Sequence, residues 1–379
     1  MNADRLTTTV QAITLLLRGA PPHQISFDSD LMIRLLKHHD LDAAANYWIE
    51  KIPAWKLYFT KLQLASLTAS EIQAKVRYHL VLGALKDALQ VIGDLQPVLF
   101  KGLAVCQVYP APHLRNPGDI DFLMPINYFE RAVDRLMEAG WKLEPSVHRD
   151  CPPEIARRYG FALIFRHPTS PVILDLHRAP VDKTEPFWIE PEDLFQFTPN
   201  LQISVEVSVA SLAVEDHLAL LALHSVRHGF FRLIWFYDVH LASEKWGNSL
   251  NREIFRQRCE RWHISRAVRV GKEISRRLFP TQVLLFPGIP LDVGTRRSIT
   301  RRNNLTIMRC HLVNPGSWRR LAAMIDLLDN RWLAFRYLMR TVFPSRSLFA
   351  TNEKSIPSIP RYLKDRLLKI FQFRRDISR

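Results

Sequence analysis

The chain has 379 residues, of which 47% are hydrophobic and 23% charged, and its net charge is +15. That size and balance describe a globular protein of two or three domains and exclude collagenous, low-complexity and disulfide-scaffold chains. No apolar run reaches the ~20 residues of a spanning helix, so no transmembrane segment is expected, and the basic excess favours acidic partners such as RNA, an anionic membrane surface or a polyphosphate.

The first 96 residues read as helical. The opening MNADRLTTTVQAITLLLRGAPP has a short apolar patch but no basic leader or cleavage site, so a secretory signal is not expected. Leu31, Leu35 and Leu36 with Ala43, Ala44 and Ala45 suggest a helical pair. A longer helix is predicted over Ile72 to Ile92, opened by Ser70-Glu71, with Tyr78, Val81, Leu85 and Leu89 on one face. Gly93 and Pro97 stop it. These stripes read as core.

From residue 97 the pattern alternates. Val98 to Phe100 reads as a strand running into Lys101-Gly102, followed by a helix from about Leu103 to Val108 that Tyr109-Pro110 ends. A Pro117-Gly118 turn then precedes a strand that begins Asp119-Ile120-Asp121 and continues Phe122, Leu123, Met124. Tyr128, Ala132, Leu136 and Ala139 mark the next helix, closed by Gly140. Phe161 to Phe165 and Val172 to Leu176 suit a hairpin. Leu201 to Val207 reads as a last strand. Two helices broken near Gly229 follow, then helices over Ile254 to Leu278, Trp318 to Leu328 and Arg331 to Val342. The end, RYLKDRLLKIFQFRRDISR, is basic and amphipathic and suits an interfacial or docking helix. The class expected is α+β: a mixed sheet with packed helices. The parts expected are a helical region (1–96), a sheet-bearing core (97–208), a helical domain (209–345) and a basic tail (346–379).

Side chains two apart on a strand point the same way, roughly 7 Å apart. Asp119 and Asp121 therefore project together, with Ile120 turned to the core. Adjacent carboxylates repel unless a cation sits between them, and a hard ion such as Mg²⁺ (or Mn²⁺) would serve. Lys101, at a turn beside that strand, suits a point charge on a phosphate, and the helix after Gly102 offers free N–H groups. Arg115, four residues before Asp119, is placed either to clamp phosphate or to pair with an aspartate. His177 shares a strand face with Asp175 and either contacts a nucleotide, orients the carboxylate or bonds to backbone. His217, His224 and His228 fall on one helical face. A packed or substrate-facing cluster is favoured over zinc, since no further ligand is near. Arg232 is placed to reach the same pocket, and Asp238, with Trp235 and Tyr237, to sit between helical domain and core. Cys106, Cys151, Cys259 and Cys310 form no C-x-x-C pair and read as reduced thiols, so a cytoplasmic location is expected, with peripheral membrane association through the basic charge left open.

The series Lys101-Gly102, Tyr109-Pro110, Arg115, Asp119-Ile120-Asp121, Asp175-Leu176-His177 and the histidine-bearing helix resembles a bacterial family of uncharacterised nucleotidyltransferases with the polymerase-beta-type fold. The resemblance covers roughly Gln96 to Leu241. Where the broad superfamily carries Gly-Ser or Gly-Gly, this chain has Lys101-Gly102-Leu103 and no serine hydroxyl. The resemblance implies Mg²⁺-dependent transfer of a nucleoside monophosphate from an NTP to an acceptor that the sequence does not identify. It implies a nucleotide site including Lys101, Gly102, Arg115, Gly118 and His177. It also implies a third metal-binding carboxylate. Of Asp150, Glu154, Asp175 and Asp182, only Asp175 stands inside an apolar strand, where a charge is costly without a partner. An RNA-directed, toxin-like transferase and a non-catalytic module that keeps the fold stay open. A glycosyltransferase D-x-D is disfavoured by Lys101-Gly102 and by the third aspartate.

Overall fold

The computed structural model describes residues 3–22, 25–144, 157, 160–182, 185–187, 189–230, 232–281 and 324–342. Asp150, Cys151, Glu154, Cys310, most of the helix predicted at Trp318 to Leu328 and the whole basic tail lie outside these residues.

Four helices precede the sheet: α1 (Ala3–Leu17), α2 (Ser29–His38), α3 (Asp42–Lys51) and α4 (Lys61–Ile92). The central region holds β1 (Val98–Leu99), α5 (Gly102–Val105), β2 (Asp119–Leu123), α6 (Ile126–Glu138), β3 (Lys142–Leu143), β4 (Ala162–Arg166) and β5 (Ile173–His177). After these come α7 (Pro191–Leu194), the hairpin β6 (Asn200–Ser204) and β7 (Val207–Ala210), then α8 (Val214–Arg227), α9 (Leu233–Trp246), α10 (Arg252–Arg261), α11 (Ser265–Leu278) and α12 (Arg331–Val342). The fold is α+β, with a mixed five-stranded sheet in the order β1-β2-β5-β4-β3.

β2 and β5 run parallel, and every other pairing in this sheet is antiparallel. The expected β4–β5 hairpin is present. Its turn is held by His167 Nδ1, which accepts the backbone N–H groups of Thr169 and Ser170. The strand alternation sorts the sheet into two faces. Ile120, Phe122, Leu174 and Leu176 join one core with Tyr78, Val81 and Leu85 of α4 and Phe129, Ala132 and Leu136 of α6. Val98, Phe100 and Leu123 face a second core built by α1, α2, α3, α8, α9, α10 and α11. Within that helical layer, Tyr237 on α9 donates its hydroxyl to the Leu17 carbonyl at 2.9 Å and accepts from Trp48 Nε1 at 3.3 Å. The aspartates thus lie between sheet and helices.

Four features differ from expectation. α4 begins at Lys61, not near Ile72, because Thr60 and Gln63 form a reciprocal capping box. Glu71 lies inside the helix and instead accepts from Asn46 Nδ2 and meets His113 Nε2. The helix predicted over Ile254 to Leu278 is two, α10 and α11. The chain turns between them at His263, whose φ is +53°, and Asn251 caps the first. The segment read as one last strand is a hairpin, β6–β7, in its own sheet, and β3 was not foreseen.

α11 crosses α8 closely at Gly271. A Cβ there would lie 2.5 Å from the Ala222 carbonyl oxygen and 2.8 Å from Ser225 Oγ. Backbone cannot swing aside as a long side chain can. Gly271→Ala should gain about 1 kcal/mol of helix propensity and lose more to overpacking, about 1–3 kcal/mol. Thermal unfolding should therefore show a lower midpoint, and an unchanged or raised midpoint would mean that α8 yields readily.

Candidate active site

β2 and β5 pair with Asp121 directly opposite Asp175 and Leu123 opposite His177. Neighbouring strands are about 4.8 Å apart, so the parallel register brings together two carboxylates that are 54 positions apart in sequence. Asp121 and His177 are buried, at 6% and 3% exposure. One ligand atom each from Asp121, Asp175 and His177 lies within 4.8 Å of the other two, and this is the one such acidic, histidine or cysteine group among the described residues.

Lys101 links β1 to α5 in a backbone conformation, φ +55° and ψ −135°, that side chains rarely adopt. Such a position costs of order 1–3 kcal/mol and marks a place that the surroundings over-determine. Its Nζ lies 3.2 Å from Asp121 Oδ1 and 4.5 Å from the centre of the Phe100 ring. His177 Nε2 is 3.0 Å from the same oxygen. Gly102 lies under the carboxylates: a Cβ there would be 3.4 Å from Asp119 Oδ1 and 3.6 Å from Asp121 Oδ2. α5 itself is only four residues long, so the helix N-terminus expected to hold phosphate contributes little dipole. Gly118 has open space around it and is not sterically required.

The four titratable groups are driven apart. Burial, then Asp121, then Asp119 push Asp175 up to about 8. Burial and Asp121 raise Asp119 to about 6. Burial opposes ionisation of Asp121 too, but Lys101 and His177 hold it down at about 2. Burial, with Lys101, lowers His177 to about 4, so at neutral pH its ring is uncharged. A neutral ring that donates from Nε2 to ionised Asp121 leaves Nδ1 as an acceptor, and Nδ1 has no partner. Asp175 Oδ1 also has none. Asp121, Asp175 and His177 form the group whose atoms could hold a metal ion, and the unpartnered Asp175 oxygen is a hard donor within it.

Arg115 is directed elsewhere. Its Nε donates to both oxygens of Asp238 on α9, at 3.1 and 3.2 Å, and the Tyr109 hydroxyl donates to Oδ1 at 2.7 Å. Of the two placements open to Arg115, the structure holds it as an ion pair. Arg232 is not turned to the carboxylates: it bonds the His38 carbonyl and Asp40 beyond the C-terminus of α2. His224 and His228 pack ring to ring at 4.7 Å, both against Trp235, and His217 packs on Trp246. Among the described residues these histidines belong to no group of three or more metal-ligating side chains. Arg227, not singled out from the sequence, is close enough to Asp121 and His177 to influence both. A separate depression of about 780 Å³, lined by Pro97, Asn127, Glu192 and Ser208 among others, contains none of these residues.

A mixed sheet carrying carboxylates on adjacent strands, backed by helices, is consistent with a fold of the nucleotidyltransferase type. The sequence profile of a family described as uncharacterised nucleotidyltransferases matches residues 26–280, more than half the chain, and the chain belongs to that family. Searches of curated proteins and of solved structures found no match. No helix among the described residues is long and apolar enough to cross a membrane.

Proposed function

We propose that this chain transfers a nucleoside monophosphate from an NTP to an acceptor hydroxyl or amine and releases pyrophosphate. The observation that carries the reading is the register of β2 and β5, with Asp121 opposite Asp175 and Asp119 two residues away. Asp119, Asp121 and Asp175 would hold Mg²⁺ or Mn²⁺. When bound, such ions neutralise charge on the phosphate oxygens and favour an in-line displacement. The acceptor oxygen or nitrogen bonds to the α-phosphorus, and the bond from that phosphorus to the bridging oxygen breaks. Asp175 takes up the acceptor's proton or lies beside it. Lys101 stands against Asp121 and can follow the triphosphate as a point charge. His177 keeps Asp121 ionised and oriented.

Incubation with each α-labelled NTP, Mg²⁺ or Mn²⁺ and cell extract should label one component. The label should be absent when Asp121→Asn replaces the wild type. Release of the label by ribonuclease would identify an RNA acceptor, the class that the net charge of +15 favours. Absence of any labelled product with all four NTPs would count against transfer and favour a binding module.

A further inference from the structure

Several polar atoms on β5 and at the end of α8 are shielded from water and have no hydrogen-bond partner: Asp175 Oδ1 and His177 Nδ1 on β5, His224 Nδ1 and Arg227 Nη1 on α8. An unsatisfied buried polar atom costs about 1–3 kcal/mol, so a cluster of them on facing elements is the imprint of a ligand. The β5 side of the cluster is explained by a cation. The α8 side is not, since an arginine cannot bind one.

Arg227 is the last residue of α8, and the chain turns away directly after it at Gly229, where φ is +81°. Its Nε donates to His228 Nε2 at 3.0 Å, which fixes the guanidinium plane and leaves Nη1 facing no partner. The His228 ring is in turn held by Trp235, at 5.5 Å, and by His224, at 4.7 Å. Leu123 of β2 and Val226 of α8 belong to one core, and Arg227 is close enough to Asp121 and His177 to influence both, so the end of α8 lies on the carboxylate side of the sheet. Glu185 is close enough to feel the guanidinium, yet it does not satisfy Nη1. The helix dipole at a C-terminus repels anions, so any attraction there must come from the side chain itself. Arg115 is paired with Asp238 and Lys101 with Asp121, whereas Arg227 Nη1 has no hydrogen-bond partner.

We infer that Arg227, with His224 beside it, forms an anion subsite that takes the pyrophosphate end of the substrate, across the cleft from the three carboxylates. A guanidinium held in plane with a free Nη matches two phosphate oxygens, as a lysine does not. The inference rests on the nucleotidyl-transfer reading for the identity of the anion, but not for the existence of the subsite.

Calorimetry with Mg²⁺ and three probes tests it: inorganic pyrophosphate, an NMP and the matching NTP. Arg227→Gln should weaken pyrophosphate and NTP by about tenfold or more, as loss of one charge-assisted bidentate contact does, and leave the NMP within about twofold. Arg227→Lys should recover part of the pyrophosphate affinity, and His224→Gln should weaken it less than Arg227→Gln does. Circular dichroism melting confirms that each variant folds, and the lysine and His224 variants carry the test if Arg227→Gln does not. Unchanged pyrophosphate affinity, equal losses for NMP and pyrophosphate, or no pyrophosphate binding by the wild type would each overturn the subsite. Pyrophosphate binding that depends on Arg227 without any NTP binding would keep the subsite and remove the transfer reading. Intact NTP transfer by Arg227→Gln would do the reverse.

Discussion

Asp175→Asn is expected to abolish transfer and, at the same time, to stabilise the metal-free protein at pH 8. Asp175 sits opposite Asp121 in the ladder, and burial with its two acidic neighbours raises it to about 8. Below pH 4 the carboxyl is protonated in the folded and unfolded chains alike and contributes no pH dependence. Between pH 4 and 8 the unfolded chain releases this proton and the folded chain keeps it. The unfolded state then binds fewer protons, so stability falls as pH rises through that window. Asn cannot ionise and escapes the loss, which for a shift of this size is on the order of a few kcal/mol. Asp119 and Asp216, raised to about 6 and 7 by burial first of all, give the wild type a slope of the same sign that survives in the variant. The difference between the two proteins therefore reports Asp175. Thermal unfolding in EDTA at pH 5 and pH 8 measures it, and identical pH slopes would remove Asp175 from the carboxylate cluster. Added Mg²⁺ should raise the wild-type midpoint by binding the folded state, and raise that of Asp175→Asn much less.

Such a cost explains why Asp175 could be read from sequence: a charge inside Val172-Ile173-Leu174-Asp175-Leu176 is expensive unless something binds it. The pairing of its strand with β2 could not be read. Period-two alternation says which residues share a face but not which strand lies alongside, and the parallel β2–β5 contact spans α6, β3 and β4. The hairpin β4–β5 was legible because a turn-rich loop joins its strands directly. Helix boundaries failed where local signals competed. Ser70-Glu71 imitates a helix start inside α4, while the true cap, Thr60 with Gln63, lies ten residues earlier. The break between α10 and α11 falls at His263, with no glycine or proline to announce it.

The site divides in the same way. Lys101-Gly102 and Asp119-Ile120-Asp121 are local patterns, and the structure gathers them at one point. Arg115 could be placed near the carboxylates by its spacing, but its partner Asp238 is 123 residues away on α9. Arg227 carries a weaker signal. His224, Arg227 and His228 lie three and four residues apart, hence on one helix face, and an arginine among histidines at a helix end is an odd choice for a packed layer. The histidines read as a packed or substrate-facing cluster, and the arginine between them belongs to no motif of its own.

The pair Arg115–Asp238 should carry the largest single effect on stability. Asp238 is buried, accepts from both Arg115 and Tyr109, and fastens α9 to the loop that leads into β2. Asp238→Ala leaves a guanidinium buried without a counter-ion and a hydroxyl without an acceptor. Removing one partner of a buried pair costs about 3–5 kcal/mol, enough to unfold a marginal protein at 37 °C. Replacing both charges avoids that penalty, since a buried pair exchanged for apolar residues of similar volume is often neutral or better. Arg115→Met with Asp238→Leu should therefore recover most of the loss, less about 1–3 kcal/mol for the Tyr109 hydroxyl. Urea midpoints for the two singles and the double, compared as a cycle, give the coupling. A double variant no more stable than Asp238→Ala would mean that the pairing of charge is not what Asp238 supplies. The same double variant also separates the two placements first open to Arg115. If the arginine only braces the loop, transfer should return with stability. If its guanidinium also meets a phosphate, the refolded protein should bind NTP weakly while its melting curve looks normal.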